Sequence, residues 1–127
     1  MAFDYERLSV ERVNEVLYDR DGDGVLRWRI RMGQRGIVAS IAGTTHTIKK
    51  EPRIIIQIDG EKVLRSRLVF VLYKGRWPHP SMVLDHKDKQ TINDRFGNLR
   101  EVTQAINIET REPFRYWKQE YWSRQRQ

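Results

Sequence analysis

The sequence predicts an α+β fold with an N-terminal helix, a small antiparallel β region and a further unit of two strands and a helix. Three observations predict this class. A helical pattern follows Ser9, two apolar segments flank Asp59–Gly60, and residues 82–110 show the order strand, polar loop, strand, helix. A chain of 127 residues is long enough for one domain with a modest core.

The first predicted helix runs from Ser9 to about Tyr18. Val10, Val13 and Leu17 recur at the spacing of one helical face. The Ser9 hydroxyl can accept a hydrogen bond from the N–H groups of the first turn. We therefore expect a short helix that packs one apolar face on the rest of the fold.

Residues 19–24 match the first half of a calcium-binding EF-hand loop, with three alternating aspartates followed by Gly24. The full motif also needs a bidentate glutamate at its last position, where this chain has Ile30. Residues 25–30 alternate like a strand rather than beginning a helix. The pattern therefore predicts a turn that enters the first strand, with calcium binding as the weaker alternative.

The predicted β region continues with a second strand at residues 37–41 and a hairpin of residues 53–58 and 62–64. Asp59–Gly60 joins the two hairpin strands, and this pair suits a type I′ turn, in which both central residues have positive φ. Residues 42–52 are polar and weakly patterned, and we predict no element there.

A short helix is predicted over residues 66–73, the densest apolar stretch of the chain. Ser66 as the N-cap and Gly75 just beyond the end favour a helix over a buried strand. Residues 77–80 contain two prolines and form a stiff connector. His79, between those prolines, is interpreted as a loop residue.

The next strand, residues 82–84, is predicted to end at Asp85 and His86. A polar loop over residues 87–97 and a partner strand at 99–102 follow. A carboxylate is a hard metal ligand, and a histidine titrates near neutral pH and can act as a base. The same two residues could also be an ordinary polar turn at a strand end.

The C-terminal part is predicted to begin with a helix from Thr103 to about Thr110. From Arg111 onward, the tail holds five Lys and Arg against two Glu, interleaved with aromatic residues. Such a mixture suits nucleic-acid contact through phosphate pairing and stacking. An amphipathic helix that packs its aromatic side chains on the body fits the tail equally well.

The composition indicates a polyanionic partner. The net charge is +7, and the isoelectric point is about 10.0, which makes nucleic acid the first candidate. The absence of cysteine excludes disulfides, thiol nucleophiles and cysteine-ligated zinc. No apolar run is long enough for a membrane span, and the N-terminus lacks a signal-peptide pattern, so we expect a cytoplasmic protein.

The polar stretch at residues 84–107 resembles the HNH endonucleases of the phage and intron homing type. The resemblance rests on Asp85–His86, then Asn98-Leu99-Arg100-Glu101-Val102-Thr103, then Asn107. Similarity to the usual lead-in of this family extends upstream, so that the resemblance covers about residues 9–111. It implies a ββα-metal finger, in which two antiparallel strands and a helix hold one divalent ion, Mg²⁺ or Mn²⁺.

Roles for individual residues also follow from the resemblance. It implies that Asp85 and Asn107 are the metal ligands and that His86 is the general base. Asn98 would orient the loop and the imidazole. Four cationic residues are candidate contacts to double-stranded DNA: Arg95, Arg100, Arg115 and Lys118. Arg95 and Arg100 could equally be solvated charges at a strand edge.

The sequence departs from the family pattern in three places. Asn107 replaces the last histidine of the HNH name, which fits the homing variant. Residues 87–90 lack the glycine often found after the histidine, and Asn93–Asp94 reverses the usual order of Asp and Asn. These differences concern the geometry of the loop more than the metal ligands.

We therefore expect a metal-dependent DNA endonuclease with three regions: a basic platform at residues 1–80, the catalytic motif at 81–111 and the tail at 112–127. One site per chain cuts one strand, so a monomer would nick and a DNA-induced dimer could cut both strands. A phage-encoded enzyme would act inside a bacterial cell. The alternative is a non-catalytic nucleic-acid-binding module on the same scaffold.

Overall fold

The computed structural model describes residues 7–104, and within that range the fold is α+β, as predicted. Its helices are α1 (Val10–Val16) and α2 (Arg65–Lys74). Its strands are β1 (Leu17–Tyr18), β2 (Arg27–Trp28), β3 (Thr44–Ile48), β4 (Glu51–Ile58), β5 (Glu61–Leu64), β6 (Met82–His86) and β7 (Leu99–Thr103). They form three antiparallel sheets, β1–β2, β3–β4–β5 and β6–β7. No helix in this range is long and apolar enough to cross a membrane.

The N-terminal helix confirms the prediction, although it ends two residues earlier than expected. The Ser9 side chain accepts a hydrogen bond from the Arg12 backbone N–H at 3.1 Å. Val13 and Val16 are fully buried on the inner face. The chain then leaves the helix directly into β1, because Leu17 adopts an extended conformation.

The β4–β5 hairpin forms around the predicted turn. Asp59 and Gly60 have φ values of 51° and 85°, the positive values that a type I′ turn requires. Ile58 and Glu61 are the register partners that close it. Ile56, Ile58 and Val63 point into the core, so the alternation of the sequence sets which face of this sheet is buried.

Two predictions in the β region are wrong. The strand expected at residues 25–30 is reduced to the two residues of β2. Residues 37–41 form no strand: they contribute a single isolated bridge between Ile41 and Arg27. The apolar side chains there are about half exposed, at 55% for Ile37 and 53% for Val38. Their hydrophobicity therefore does not reflect burial in a sheet, which is what the prediction assumed.

One strand lies where no element was predicted. β3 is the edge of the three-stranded sheet and pairs antiparallel with β4 through a turn at Lys49–Lys50. All five of its residues are exposed, so no side-chain alternation between a buried and a solvated face marks it in the sequence.

The second helix confirms the predicted element but corrects its start. Leu64 occupies the N-cap position without a side-chain hydrogen bond, and Ser66 lies buried inside the first turn instead of capping it. Gly75 ends the helix as predicted, with φ of 74° and its N–H bonded to the Val71 carbonyl at 2.8 Å.

The last described unit is the β6–β7 ladder, in which His86 pairs with Leu99 and Asp85 with Arg100. It confirms the predicted strand, loop and strand. The helix predicted from Thr103 to Thr110 lies beyond the described residues, apart from its first two positions.

Among residues 7–104, one hydrophobic cluster joins both helices with strands of all three sheets. It contains Leu8, Val13, Val16, Leu17, Leu26, Trp28, Ala42, Ile56, Ile58, Val63, Leu68, Val69, Val71 and Leu99. Leu99, from the β6–β7 unit, thus packs with residues of the N-terminal region. The division predicted at residue 80 stays a prediction, and this packing crosses it.

Candidate active site

Asp85 and His86 occupy the last two positions of β6 and line a cleft of about 330 Å³. Both side chains are buried, with 5% and 4% of their surface exposed. The opposite wall of the cleft comes from the β3–β4 hairpin and the start of α2. Four cationic side chains line the same cleft: Lys49, Arg53, Arg67 and Lys89. Glu51 also lines the cleft and pairs with Arg53 at 3.1 Å, so the cleft combines Asp85 and His86 with a rim that is cationic on balance.

A third buried side chain completes the environment of His86. The His86 Nε2 atom lies 2.7 Å from Asp94 Oδ1, and the Asp94 side chain is only 2% exposed. Asp94 lies in the loop between β6 and β7, which folds back over the end of β6. The sequence prediction did not assign Asp94 a role. The reversed Asn93–Asp94 order was the signal that could have singled it out.

Arg65 compensates the buried charge of Asp94. Its Nε atom donates to Asp94 Oδ2 at 2.8 Å, and its Nη2 atom donates to the Ile92 carbonyl at 2.8 Å. The Arg65 side chain is itself 7% exposed. A buried carboxylate is tolerated only when paired and hydrogen-bonded. Each Asp94 oxygen has a partner, so the Arg65–Asp94–His86 chain is internally satisfied.

Asp85 is held by two cations on one of its oxygens. Arg100 Nε donates to Asp85 Oδ2 at 2.8 Å, and Lys89 Nζ lies 3.7 Å from the same atom. Within residues 7–104, Asp85 Oδ1 has no hydrogen-bond partner. Arg100, predicted to contact phosphate, is therefore placed beside the predicted metal ligand, where the register of β6 and β7 brings the two residues together.

The donor chemistry of Asp85 fits the implied divalent ion, because a carboxylate oxygen is the hard ligand that Mg²⁺ and Mn²⁺ prefer. Residues 7–104 contain no group of three or more His, Asp or Glu side chains that could hold a metal on their own. The second predicted ligand, Asn107, lies outside the described residues. The role of Asp85 as a metal ligand therefore stays a prediction, and it requires further oxygen donors.

Asn98 fastens the loop onto itself. Its Nδ2 atom donates to Asp88 Oδ1 at 2.9 Å and to the Asn93 carbonyl at 2.8 Å. Its Oδ1 atom accepts from the Asp88 backbone N–H at 3.1 Å. Among the described residues it makes no hydrogen bond to His86. The structure thus places Asn98 where it can hold the loop, and its predicted role toward the imidazole stays a prediction.

The pKa of the Asp88 carboxyl is lowered by the same network. The largest cause is the hydrogen bond from the Asn93 side chain, and the Gln90 backbone N–H, the Asn98 side chain and the nearby His86 act in the same direction. Burial opposes the shift. The network therefore favours the ionised carboxylate at this corner of the loop.

The loop is seated on the body of the protein at two backbone positions. At Gly24, a Cβ atom would lie 2.3 Å from the carbonyl carbon and oxygen of Asp94, closer than a side chain allows. The hydroxyl of Thr91 donates to the Pro52 carbonyl at 2.6 Å. The loop that carries Asp94 is thereby fixed by residues far away in the sequence.

An aromatic contact adds a third anchor. The rings of Tyr73 and Phe96 stack with centroids 4.7 Å apart. The Tyr73 hydroxyl donates to Asp19 at 2.8 Å, and Asp19 also accepts from the Gly24 backbone N–H. The aspartate-rich turn predicted at residues 19–24 therefore supports the polar loop.

The remaining predicted DNA contacts are only partly described. Arg95 is exposed beside Asp94, and its predicted contact with DNA stays a prediction. Asn107, Arg115 and Lys118 lie outside the described residues.

Comparison with known proteins agrees with the sequence resemblance. Residues 63–108 match the family model of the HNH endonucleases, which confirms the predicted family over that segment. A search of curated proteins gives no match. The solved structure titled "DNA binding and cleavage by the HNH homing endonuclease I-HmuI" is similar to 70% of this chain, with 27% identity and a TM-score of 0.47. The match covers 48% of that structure's chain, so this chain spans about half its length.

Proposed function

We propose that this protein is a metal-dependent endonuclease that hydrolyses phosphodiester bonds of DNA, because residues 63–108 match the family model of the HNH endonucleases. The observation that carries the proposal is the pair Asp85 and His86 at the end of β6, inside a cleft with a cationic rim. A homing-type role is part of the proposal.

Hydrolysis of a phosphodiester needs an activated water and stabilisation of the negative charge that builds on the phosphate oxygens. In the proposed mechanism, His86 takes a proton from that water. A base of this kind contributes ~10²–10⁴-fold in rate. Lys89 and the other cations of the rim attract and orient the phosphate.

Asp85 and Asn107 are the residues proposed to hold a divalent ion, Mg²⁺ or Mn²⁺. When bound, such an ion supplies positive charge next to the scissile phosphate. Asp85 Oδ1 is available for this role among the described contacts, because Arg100 and Lys89 both approach Oδ2. Arg100, which donates to Asp85 Oδ2, is proposed to meet a phosphate that enters the site.

The distribution of charge supports DNA as the substrate. Residues 24–50 contain six Lys and Arg and no Asp or Glu, so this segment accounts for most of the net charge of +7. It includes the Lys49–Lys50 turn, which reaches the cleft. Such a surface binds duplex DNA through phosphates, with register set by backbone contacts. Arg95, Arg115 and Lys118 are proposed to add to it.

One active site per chain is proposed to nick one strand. Cleavage of both strands would require two chains on the DNA, so the proposed state is a monomer or a dimer that forms on DNA. A non-catalytic nucleic-acid-binding module is the second candidate, and the basic surface alone supports it. The buried placement of Asp85 and His86 in the cleft favours the enzyme.

The test is relaxation of supercoiled plasmid DNA by the purified protein with Mg²⁺, with Mn²⁺ and with EDTA. We expect nicked circles with metal and none with EDTA. His86→Ala should abolish nicking while leaving salt-sensitive DNA binding nearly unchanged, since this side chain is buried and lies inside the cleft.

His79→Ala is the matched control. His79 is exposed in the turn before β6, where its Nδ1 atom accepts from the Ser81 hydroxyl at 2.7 Å. It lies at the opposite end of β6 from His86, and its loss should leave nicking unchanged. If metal-supplemented wild-type protein binds DNA without cutting it, the protein is the binding module. Loss of DNA binding in His86→Ala would instead make His86 structural.

A further inference from the structure

The buried chain Arg65–Asp94–His86 carries an inference that rests on the proposed nuclease function. We propose that Asp94, held by Arg65, is a positioning residue that fixes the tautomer of His86. In this tautomer Nε2 carries the hydrogen and Nδ1 carries the lone pair. Nδ1 is then the atom that accepts the proton of the attacking water.

The hydrogen-bond chemistry of the three groups sets this direction. An ionised carboxylate only accepts hydrogen bonds, and a guanidinium only donates them. Arg65 occupies Asp94 Oδ2, and Asp94 Oδ1 faces His86 Nε2 at 2.7 Å. A contact of this length needs a hydrogen between the two atoms. The hydrogen must therefore come from Nε2, which assigns the lone pair of the neutral ring to Nδ1.

The position of Asp94 is fixed on two sides. Arg65 binds both the Asp94 carboxylate and the Ile92 carbonyl, which ties the side chain and the loop backbone to α2. Behind the loop, the Gly24 backbone lies so close to the Asp94 carbonyl that no Cβ would fit. Because only 2% of the Asp94 side chain is exposed, a water molecule cannot replace His86 as its hydrogen-bond partner. It can therefore orient the imidazole without being able to reach a substrate.

An asparagine at position 94 would reverse the tautomer. Arg65 can only donate, so it would take the single carboxamide oxygen, and the amide NH₂ group would face His86. Nε2 would then have to accept, and the hydrogen would move to Nδ1. An Asp-to-Asn change next to a catalytic histidine can disable the base in this way with little change in shape. In this chain the carboxylate of Asp94 is therefore required, because Arg65 uses one of its two oxygens and His86 uses the other.

The experiment compares Asp94→Asn with Asp59→Asn by two measurements. The first is ¹⁵N NMR of the imidazole in metal-free protein, at a pH where the ring is neutral. We expect His86 in the Nε2–H form in the wild type and in Asp59→Asn, and in the Nδ1–H form in Asp94→Asn. The second is the rate of plasmid nicking at increasing DNA concentration.

Asp94→Asn should lower kcat by ~10²–10⁴-fold, the contribution of a general base, with the KM for DNA unchanged. Asp59→Asn is a matched control, because it also removes a carboxylate from an arginine. Asp59 pairs with Arg12 in an exposed hairpin turn, with Nε to Oδ2 at 2.8 Å. It should leave both the tautomer and kcat unchanged.

The two measurements separate this inference from the proposed function. If the wild type fails to nick DNA, the function is wrong, while the NMR tautomer still tests Asp94. A wild-type His86 with hydrogen on Nδ1 would overturn the inference, even if Asp94→Asn does not fold. An unchanged kcat in a folded Asp94→Asn variant would overturn it as well.

Discussion

Replacing Arg65 with Met tests the buried ion pair directly. The substitution preserves most of the side-chain volume in α2 but removes the donors to Asp94 Oδ2 and to the Ile92 carbonyl, both at 2.8 Å. Asp94 stays buried with its charge unpaired, and breaking such a pair costs about 3–5 kcal/mol. The free energy of unfolding of a small domain is about 5–15 kcal/mol, so a loss of this size is a large share of it.

Urea denaturation followed by circular dichroism measures this loss as a shift of the midpoint. Arg12→Met is the matched control, because Arg12 also pairs with an aspartate through its guanidinium but at the surface. An exposed pair contributes little to stability, because solvent screens the two charges. If Arg65→Met costs no more than Arg12→Met, the pair at Asp94 does not stabilise the fold and the reasoning from burial fails.

Two further predictions concern the loop between β6 and β7. Gly24→Ala should lower both stability and nicking, because φ of +78° is strained for alanine and the new Cβ would meet the Asp94 backbone. Gly22→Ala is the control, since Gly22 also has positive φ but nothing lies within 4 Å of its added Cβ. Equal effects of the two substitutions would exclude the contact between Gly24 and the Asp94 backbone as the cause. The lowered pKa of Asp88 means that the folded state binds fewer protons than the unfolded state, so its stabilising effect is present above pH 3.8 and is lost as the pH falls further. The Asp88→Asn variant should therefore be less stable than the wild type near neutral pH and lose less stability on acidification below pH 3.8. Urea denaturation at several pH values measures both effects. An identical acid dependence in the two proteins would show that the hydrogen bonds to Asp88 do not stabilise its ionised form.

Local chemistry explains which parts of the fold could be predicted. The Asp59–Gly60 hairpin depends on two residues that accept positive φ, and the end of α2 depends on Gly75, so both are readable from neighbouring residues. β3 could not be read, since none of its residues is buried and its identity depends only on pairing with β4. Residues 37–41 misled the prediction, because apolar side chains there are exposed.

The site shows the same limit. Asp85, His86 and Asn98 were identifiable because the resemblance is carried by fixed spacings along the chain. The role of Asp94 was not, because the reversed Asn93–Asp94 order marks the position but not its partners. The fold alone brings Asp94 to His86 and to Arg65, which is 29 positions away in the sequence. Partners of a buried charge are set by tertiary packing, which a pattern of residue types does not encode.

The contacts that support the β6–β7 loop show that the HNH segment cannot be transferred to another protein on its own. Residues 63–108 match the family, yet the loop within them rests on Gly24 and on the Pro52 carbonyl, both upstream of that segment. A graft of the segment into another protein would leave the backbone around Asp94 without its support. A transplant that keeps the geometry of His86 must therefore also carry the turn at residues 19–24 and strand β4.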